Sequence, residues 1–360
     1  MGYTVTRIAE TCGLSRSALY NRMKELGVSN SNQYSDINNN TLDGAICRIK
    51  QNHPNCGEVM VIGHLRAQGI NVQRNRVREA IQRVDPEGAH ERRCRRIHRR
   101  VYSVPCPNYM WHVDGNHKMI RWRLIVHVGI DGYSRLCVFC KCSNNNLSQT
   151  AFNGFQDAVR QYGRPLRVRT DKGGENVSIW QDMINNSPFQ EMAAITGSSV
   201  HNQRVERFNG DINRHCANVI KPELYNLESE GVLDPSNDTD LFCLHYVYLP
   251  RINALLREFI DAHNNHVIST EHNQSPLQLF LNNQHLLALH SGTAQEVNYG
   301  AGNIPISPSI VEVASTRNPL NEQQYQNLRQ EIDPLRHTVS RPDLYKQVIS
   351  FVGNMLLNSN

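Results

Sequence analysis

Three acidic residues, Asp114, Asp171 and Glu206, carry the chemistry that can be read from this chain. Asp114 ends the apolar, strand-like run Met110-Trp-His-Val-Asp-Gly115. Asp171 closes a second run, Leu166-Arg-Val-Arg-Thr-Asp171, and leads into the turn Lys172-Gly-Gly174. Glu206 comes thirty-five positions later, inside a helical stretch. Two strand-end aspartates and a helix glutamate can converge on a pair of divalent metals, which activate a water or a 3′-hydroxyl for in-line attack on a phosphodiester. Taken singly, each reads better as a solvated surface carboxylate, which is what an isolated Asp or Glu usually is. The ordered trio, each member in its own secondary-structure context, is the signal.

The helix around Glu206 is set by its period. Val205, Phe208, Ile212, Cys216 and Val219 form one apolar stripe. Asn202, Glu206, Asn209 and Asn213 line the polar shoulder beside it, and Arg204, Arg207, Asp211 and Arg214 lie on the far side. This puts Glu206 at the margin between core and solvent. An ordinary amphipathic helix would look the same.

Four segments together resemble a known family: Met110-Trp-His-Val-Asp-Gly115, Val128-Gly-Ile-Asp-Gly-Tyr-Ser-Arg135, Arg169-Thr-Asp-Lys-Gly-Gly-Glu-Asn176 and His201-Asn-Gln-Arg-Val-Glu-Arg-Phe-Asn-Gly210. They are similar to the integrase core shared by retroviral integrases and DDE transposases. Leu249-Pro-Arg-Ile-Asn-Ala254, His263-Asn-Asn-His266 and Ser275-Pro276 resemble the end of eukaryotic integrase-core proteins. The resemblance spans roughly residues 105–280. It implies a ribonuclease-H-like α/β fold, a mixed five-stranded sheet flanked by helices. It also implies Asp114, Asp171 and Glu206 as catalytic and metal-binding residues, with Mg²⁺ or Mn²⁺ in a two-metal site. Thirty-four residues separate Asp171 from Glu206, one fewer than the commonest retroviral spacing, a change that loop closure tolerates.

A chain of 360 residues with 39% hydrophobic content has room for two or three domains. The net charge of +5 is unevenly placed: Arg92, Arg93, Arg95, Arg96, Arg99 and Arg100 fall within nine positions. That run reads as a phosphate-contacting linker, with a solvated helix or a nuclear-import signal as alternatives. The first twenty residues contain Arg7, Glu10 and Arg16 and lack the apolar core of a signal peptide. No apolar run is long enough to span a bilayer, so no membrane partner is expected. Ten scattered cysteines suit a reducing compartment, and the expected location is the nucleus. Cys137, Cys140 and Cys142 lie on a strand, where Cys137 and Cys140 should face opposite sides. His90, Cys94 and His98 have helical spacing without an evident fourth ligand, so no zinc is assigned.

The N-terminal hundred residues read as small all-α helix-turn-helix units. In residues 1–28, Ile8 and Ala9 pack inward, Gly13 makes the turn, and Ser15 caps a second helix with Leu19 and Met23 on one face. Arg16, Tyr20, Asn21 and Lys24 then face outward for DNA, although such hairpins also serve as plain packing units. Residues 29–41 read as a linker. A second unit, 42–84, has helices near Val59–Gln68 and Arg74–Arg83, with Arg74 and Arg78 on a basic face. Residues 85–104 form the basic linker, 105–285 the core and 286–360 a tail of unassigned role. In that tail Ser291–Pro308 reads as loop, and Glu322–Ile332 and Leu344–Leu357 as helices.

Within the core, Leu124–Asp131 and Leu136–Cys142 read as strands, Asn146–Tyr162 as a helix and Leu166–Thr170 as a further strand. Asp131, the chief rival carboxylate, ends its strand at a turn and is assigned to turn chemistry. Glu175 is expected to be turned away from the site by Gly173-Gly174. Lys172, Asn202 and Arg207 are expected beside the nucleic-acid strand. These readings lead to an integrase or transposase that cuts and joins DNA, from a mobile element or derived from one. Its partners would be element ends, target DNA and a second copy of the chain. The competing readings are a hydrolysis-only nuclease and a domesticated DNA-binding protein without turnover. The Leu241–Ile260 helix and the segment near Val348–Leu357 are the expected dimer contacts, unless they cover their own core.

Overall fold

The strand expected to end at Asp114 runs on to Met119. In the computed structural model, which describes residues 5–28, 34–88, 104–197, 202–290 and 311–357, β1 spans Met110–Met119. Asp114 is therefore mid-strand, not at a strand end. The polar residues after it keep pairing with β2 (Leu124–Asp131), where Gly115 faces His127 and Asn116 faces Val126. Strands β3 (Cys137–Ser143), β4 (Arg167–Thr170) and β5 (Ala194–Thr196) complete a sheet of order β3-β2-β1-β4-β5. β1, β2 and β3 pair antiparallel, whereas β4 runs parallel to both β1 and β5. The sheet is mixed and five-stranded.

Both faces of the sheet are covered, so all eight residues of β2 are buried. One face packs on helices α6 (Ser148–Tyr162) and α7 (Val177–Asn186), where Trp111, Val113 and Val168 meet Phe155, Ile179 and Trp180. On the other, Val126, Val128 and Ile130 meet α8 (Gln203–Ile212), α9 (Asn218–Ser229) and α10 (Asp238–Asn265). Between α8 and α9 the helix widens into a π-turn, Asn213–Ala217. That turn inserts one residue, so the apolar stripe leaves the predicted Val219 and continues at buried Ile220, Leu224 and Leu227.

A second insertion reorients the cysteines. Gly129 pairs with Phe139 but Ile130 pairs with Cys137, which makes Val138 the extra residue of a β-bulge. Cys137, Cys140 and Cys142 therefore share one face, correcting the expected alternation, and pack together on the core between the sheet and α8–α10.

The first N-terminal unit holds α1 (Val5–Thr11) and α2 (Arg16–Glu25), with Ser15 accepting from the Ala18 amide at 3.1 Å and Gly13 at φ +64° in the turn. In the second, α3 spans Asn39–Asn52 and begins earlier than expected, because Asn38 accepts from the Thr41 amide and caps it. Helices α4 (Glu58–Ala67) and α5 (Arg74–Val84) complete this unit. It does not hang free: α4 packs on α10, and a Cβ at Gly63 would overlap the carbonyl oxygen of Ala262. His53 and His64 stack at 4.6 Å in this seam, with His53 3.5 Å from Glu258.

Beyond α11 (Pro276–Asn283), the chain ends in α12 (Glu322–Glu331) and α13 (Arg341–Leu357). Leu344, Tyr345, Val348 and Val352 are buried against α10, together with Leu241, Leu244 and Val247. The two segments expected to be dimer contacts thus cover each other. Among the described residues no helix is long and apolar enough to cross a membrane. His90, Cys94, His98, the arginines from Arg92 to Arg100 and the Ser291–Pro308 loop lie outside the described residues.

Candidate active site

Alternation along β1 turns His112, Asp114 and Asn116 toward α8, and the asparagines of α8 meet them one by one. Asn202 Oδ1 accepts from His112 Nδ1 at 2.5 Å, and its Nδ2 donates to the Val113 carbonyl at 3.2 Å. Asn209 donates to Asp114 Oδ2 at 2.7 Å, and Asn116 donates to Asn213 at 2.9 Å and Asn209 at 3.3 Å. Three of the four residues on the predicted polar shoulder thus bridge to β1. The fourth, Glu206, is exposed, one turn before Asn209.

Asp171 follows β4. Its Oδ1 accepts from the Gly173 amide and from Asn176 Nδ2, both at 3.0 Å, which closes the turn that carries it. β1 and β4 are parallel neighbours with His112 opposite Arg169. The ladder stops there, and Asp171, one residue past the end of β4, lies near enough to Asp114 for its charge to be felt. Burial, then the nearby Asp171 charge, pushes the Asp114 carboxyl up to about 7, with smaller contributions from Glu175 and Glu206.

Glu175 is the residue that sequence reasoning misplaced. Instead of being turned away, it is only 3% exposed. Its carboxyl curls into space left by two glycines: a Cβ at Gly173 would come within 2.6 Å of its Cδ, and one at Gly115 within 3.3 Å of Oε1. The tight turn at Gly174–Asn176 folds the chain back to place it there. Asn146 donates to Glu175 Oε2 and to the Val311 carbonyl, both at 3.3 Å. The glycines flanking both aspartates were the available signal. Asp131, by contrast, is fully buried and accepts from the Asn108 amide and from both the amide and hydroxyl of Ser134, which is turn chemistry.

The remaining candidates scatter. Lys172 and Arg207 are exposed, and Arg207 lies 3.7 Å from Asp211 on its own helix. Asn202 is buried and engaged with β1. Arg16, Tyr20, Asn21 and Lys24 are exposed on α2. Arg74 and Arg78 both pair with Glu58, which offsets the basic face expected on α5.

The site gathers hard carboxylate oxygens, the donor type that suits Mg²⁺ or Mn²⁺. Their mutual repulsion is what a divalent cation would relieve. Among the described residues no three His, Cys, Asp or Glu side chains stand close enough together to hold an ion as they are.

Residues 101–294, more than half the chain, match the integrase core domain family. The chain belongs to that family. Its mixed sheet with flanking helices is the ribonuclease-H-like integrase fold, and the family is one of polynucleotidyl transferases. Among solved structures, the catalytic core of HTLV-2 integrase with magnesium, in its trimeric form, is 19% identical. It covers 49% of this chain and 97% of its own, with a TM-score of 0.32. The dimeric form is 21% identical with the same coverage and a TM-score of 0.31. A simian T-cell lymphotropic virus intasome bound to the PP2A regulatory subunit B56 gamma is 17% identical. It covers 73% of this chain and 78% of its own, with a TM-score of 0.39. No curated protein matches.

Proposed function

We propose that this integrase-core protein cuts DNA and joins its strands in a divalent-metal-dependent reaction, as an integrase or transposase. The observation that supports the reading is Asp114 in β1, bridged by Asn209 to the helix that bears Glu206, with Asp171 just past the parallel neighbour β4 and near enough for its charge to act on Asp114. These three carboxylates would hold Mg²⁺ or Mn²⁺, whose bound charge polarises the phosphodiester and activates the attacking oxygen.

The chain's own residues prepare that chemistry. Asn209 and the Gly115 amide fix both oxygens of Asp114, at 2.7 and 3.0 Å. Asn176 and Gly173 fix Oδ1 of Asp171, while its Oδ2 accepts no hydrogen bond among the described residues and stays available. Glu206 is free to turn from solvent toward the aspartates by changing rotamer, because its exposed side chain is not packed. Lys172, Arg207 and the exposed face of α2 supply positive charge for a DNA backbone. Joining two element ends to one target requires at least two active sites, so the working form is a homo-oligomer on DNA, in the nucleus.

End-labelled DNA incubated with Mg²⁺ tests the reading. Strand-joined product is expected from the native chain, and only background from Asp114→Asn, Asp171→Asn and Glu206→Gln variants that melt normally. Cut product without joining indicates a nuclease, and a shifted band without chemistry a domesticated binder. Normal turnover in Asp171→Asn would overturn the site.

A further inference from the structure

The π-turn at Asn213–Ala217 sits two turns beyond Glu206, in the same continuous helical run. Within it the Asn218 amide reaches back five residues to the Asn213 carbonyl. One inserted residue leaves a carbonyl of the turn without its in-helix donor, and such a group must find another partner. The Arg214 carbonyl finds one outside the core altogether: Asn55, between α3 and α4, donates to it at 2.8 Å across 159 positions of sequence.

The contact is seated rather than incidental. Two residues before Asn55, His53 is buried and stacks on His64, and its ring lies 6.4 Å from that of His215 in the π-turn itself. His215 in turn stacks on Phe259 of α10 at 5.2 Å. One residue after Asn55, Cys56 is fully buried, and its carbonyl receives Lys50 Nζ at 2.6 Å. The Asn55 amide is thus aimed from a fixed corner at the widened turn.

We propose that Asn55 is a positioning residue for Glu206, and that through it the second helical unit braces the helix that presents the third carboxylate. This rests on the assignment of Glu206 to the active site. The π-turn sets the rotation between two buried stripes, Val205, Phe208 and Ile212 before it and Ile220, Leu224 and Leu227 after it. Capping that carbonyl keeps the rotation, and with it the Asn209–Asp114 bridge and the place of Glu206 one turn before Asn209. The helical unit is therefore part of the catalytic apparatus as well as a flanking module.

Full-length Asn55→Ala and Asn55→Asp proteins test this, the second being isosteric but unable to donate. Both should speed amide hydrogen exchange across residues 206–219 by about three- to tenfold, the worth of one such bond. On DNA with Mg²⁺, kcat should fall while KM holds, and Asn55→Gln, which keeps a donor, should recover at least part of the loss. Unchanged exchange in Asn55→Asp would overturn the brace. A raised KM with unchanged kcat would overturn it as well, since Asn55 would then be a DNA contact. If the native chain shows no cleavage, the Glu206 assignment fails, while the exchange measurement still decides whether the brace exists.

Discussion

Replacing Gly63 by alanine should weaken the seam between the second helical unit and the core, against the usual sign of such a change. In an unobstructed helix Gly→Ala stabilises by about 0.5–1 kcal/mol, because glycine loses more backbone entropy on folding. At Gly63 the added methyl would overlap the Ala262 carbonyl oxygen and stand 3.1 Å from its carbon and 3.2 Å from the Cβ of His266. Restoring contact at about 3.5 Å or more requires α4 to retreat from α10 by roughly 1 Å. Overpacking of this kind costs about 1–3 kcal/mol. Net of the helix gain, the variant should lose about 1–2 kcal/mol, or about 1–3 °C in Tm for a chain of this size. Gly44, in α3, has nothing within 4 Å of its hypothetical Cβ and supplies the control. Thermal melts should move in opposite directions for Gly44→Ala and Gly63→Ala, and hydrogen exchange should rise in α4 and in α10 near Ala262 only for the latter. Equal stabilisation by both would refute the reasoning, since the unit would not then be packed as tightly as the seam implies.

Two further outcomes follow from charge. Burial raises Asp131 from its ordinary value to about 6, so the native state holds its proton more tightly than the unfolded chain does. The stability this contributes is complete below about pH 4 and lost as pH rises through about 6, roughly 3 kcal/mol in all. A difference curve of urea stability for native and Asp131→Asn proteins over that window should show the decline, and a flat curve would contradict it. Replacing Arg92, Arg93, Arg95, Arg96, Arg99 and Arg100 by glutamine should lower the slope of log K against log salt for DNA binding by up to about five. An unchanged slope would remove the basic linker from the interface.

Four of the five strands, most of the helices and the polar shoulder on α8 were legible because each rests on local periodicity, whereas β5 and α7 were not read. β2 and β4 matched almost to the residue, as did α5 and α12. Several errors share one origin, a single inserted residue or a turn whose effect is set by contacts far away in sequence. The π-turn moved the stripe from Val219 to Ile220, and the bulge at Val138 put Cys137 and Cys140 on one face. The Gly174–Asn176 turn brought Glu175 inward. For Glu175 the flanking glycines were a signal, but no pattern marks the π-turn or the bulge, because a helix or strand with one extra residue has the same composition as one without it.

The sequence by itself determined the candidates for the chemistry, since Asp114, Asp171 and Glu206 stand in motifs that resemble, in order and spacing, those of the integrase core. It also determined the helix face on which Glu206 lies, through a 3.6-residue period. Only the tertiary structure decided what holds those residues. The parallel pairing of β1 with β4 brings Asp171, just past β4, toward Asp114, and asparagines some ninety positions from β1 bind it to α8. A helical unit that reads as a separate module instead packs against α10 and caps the π-turn. These are long-range contacts, fixed by how whole faces bury against one another, and local sequence carries no record of which faces meet.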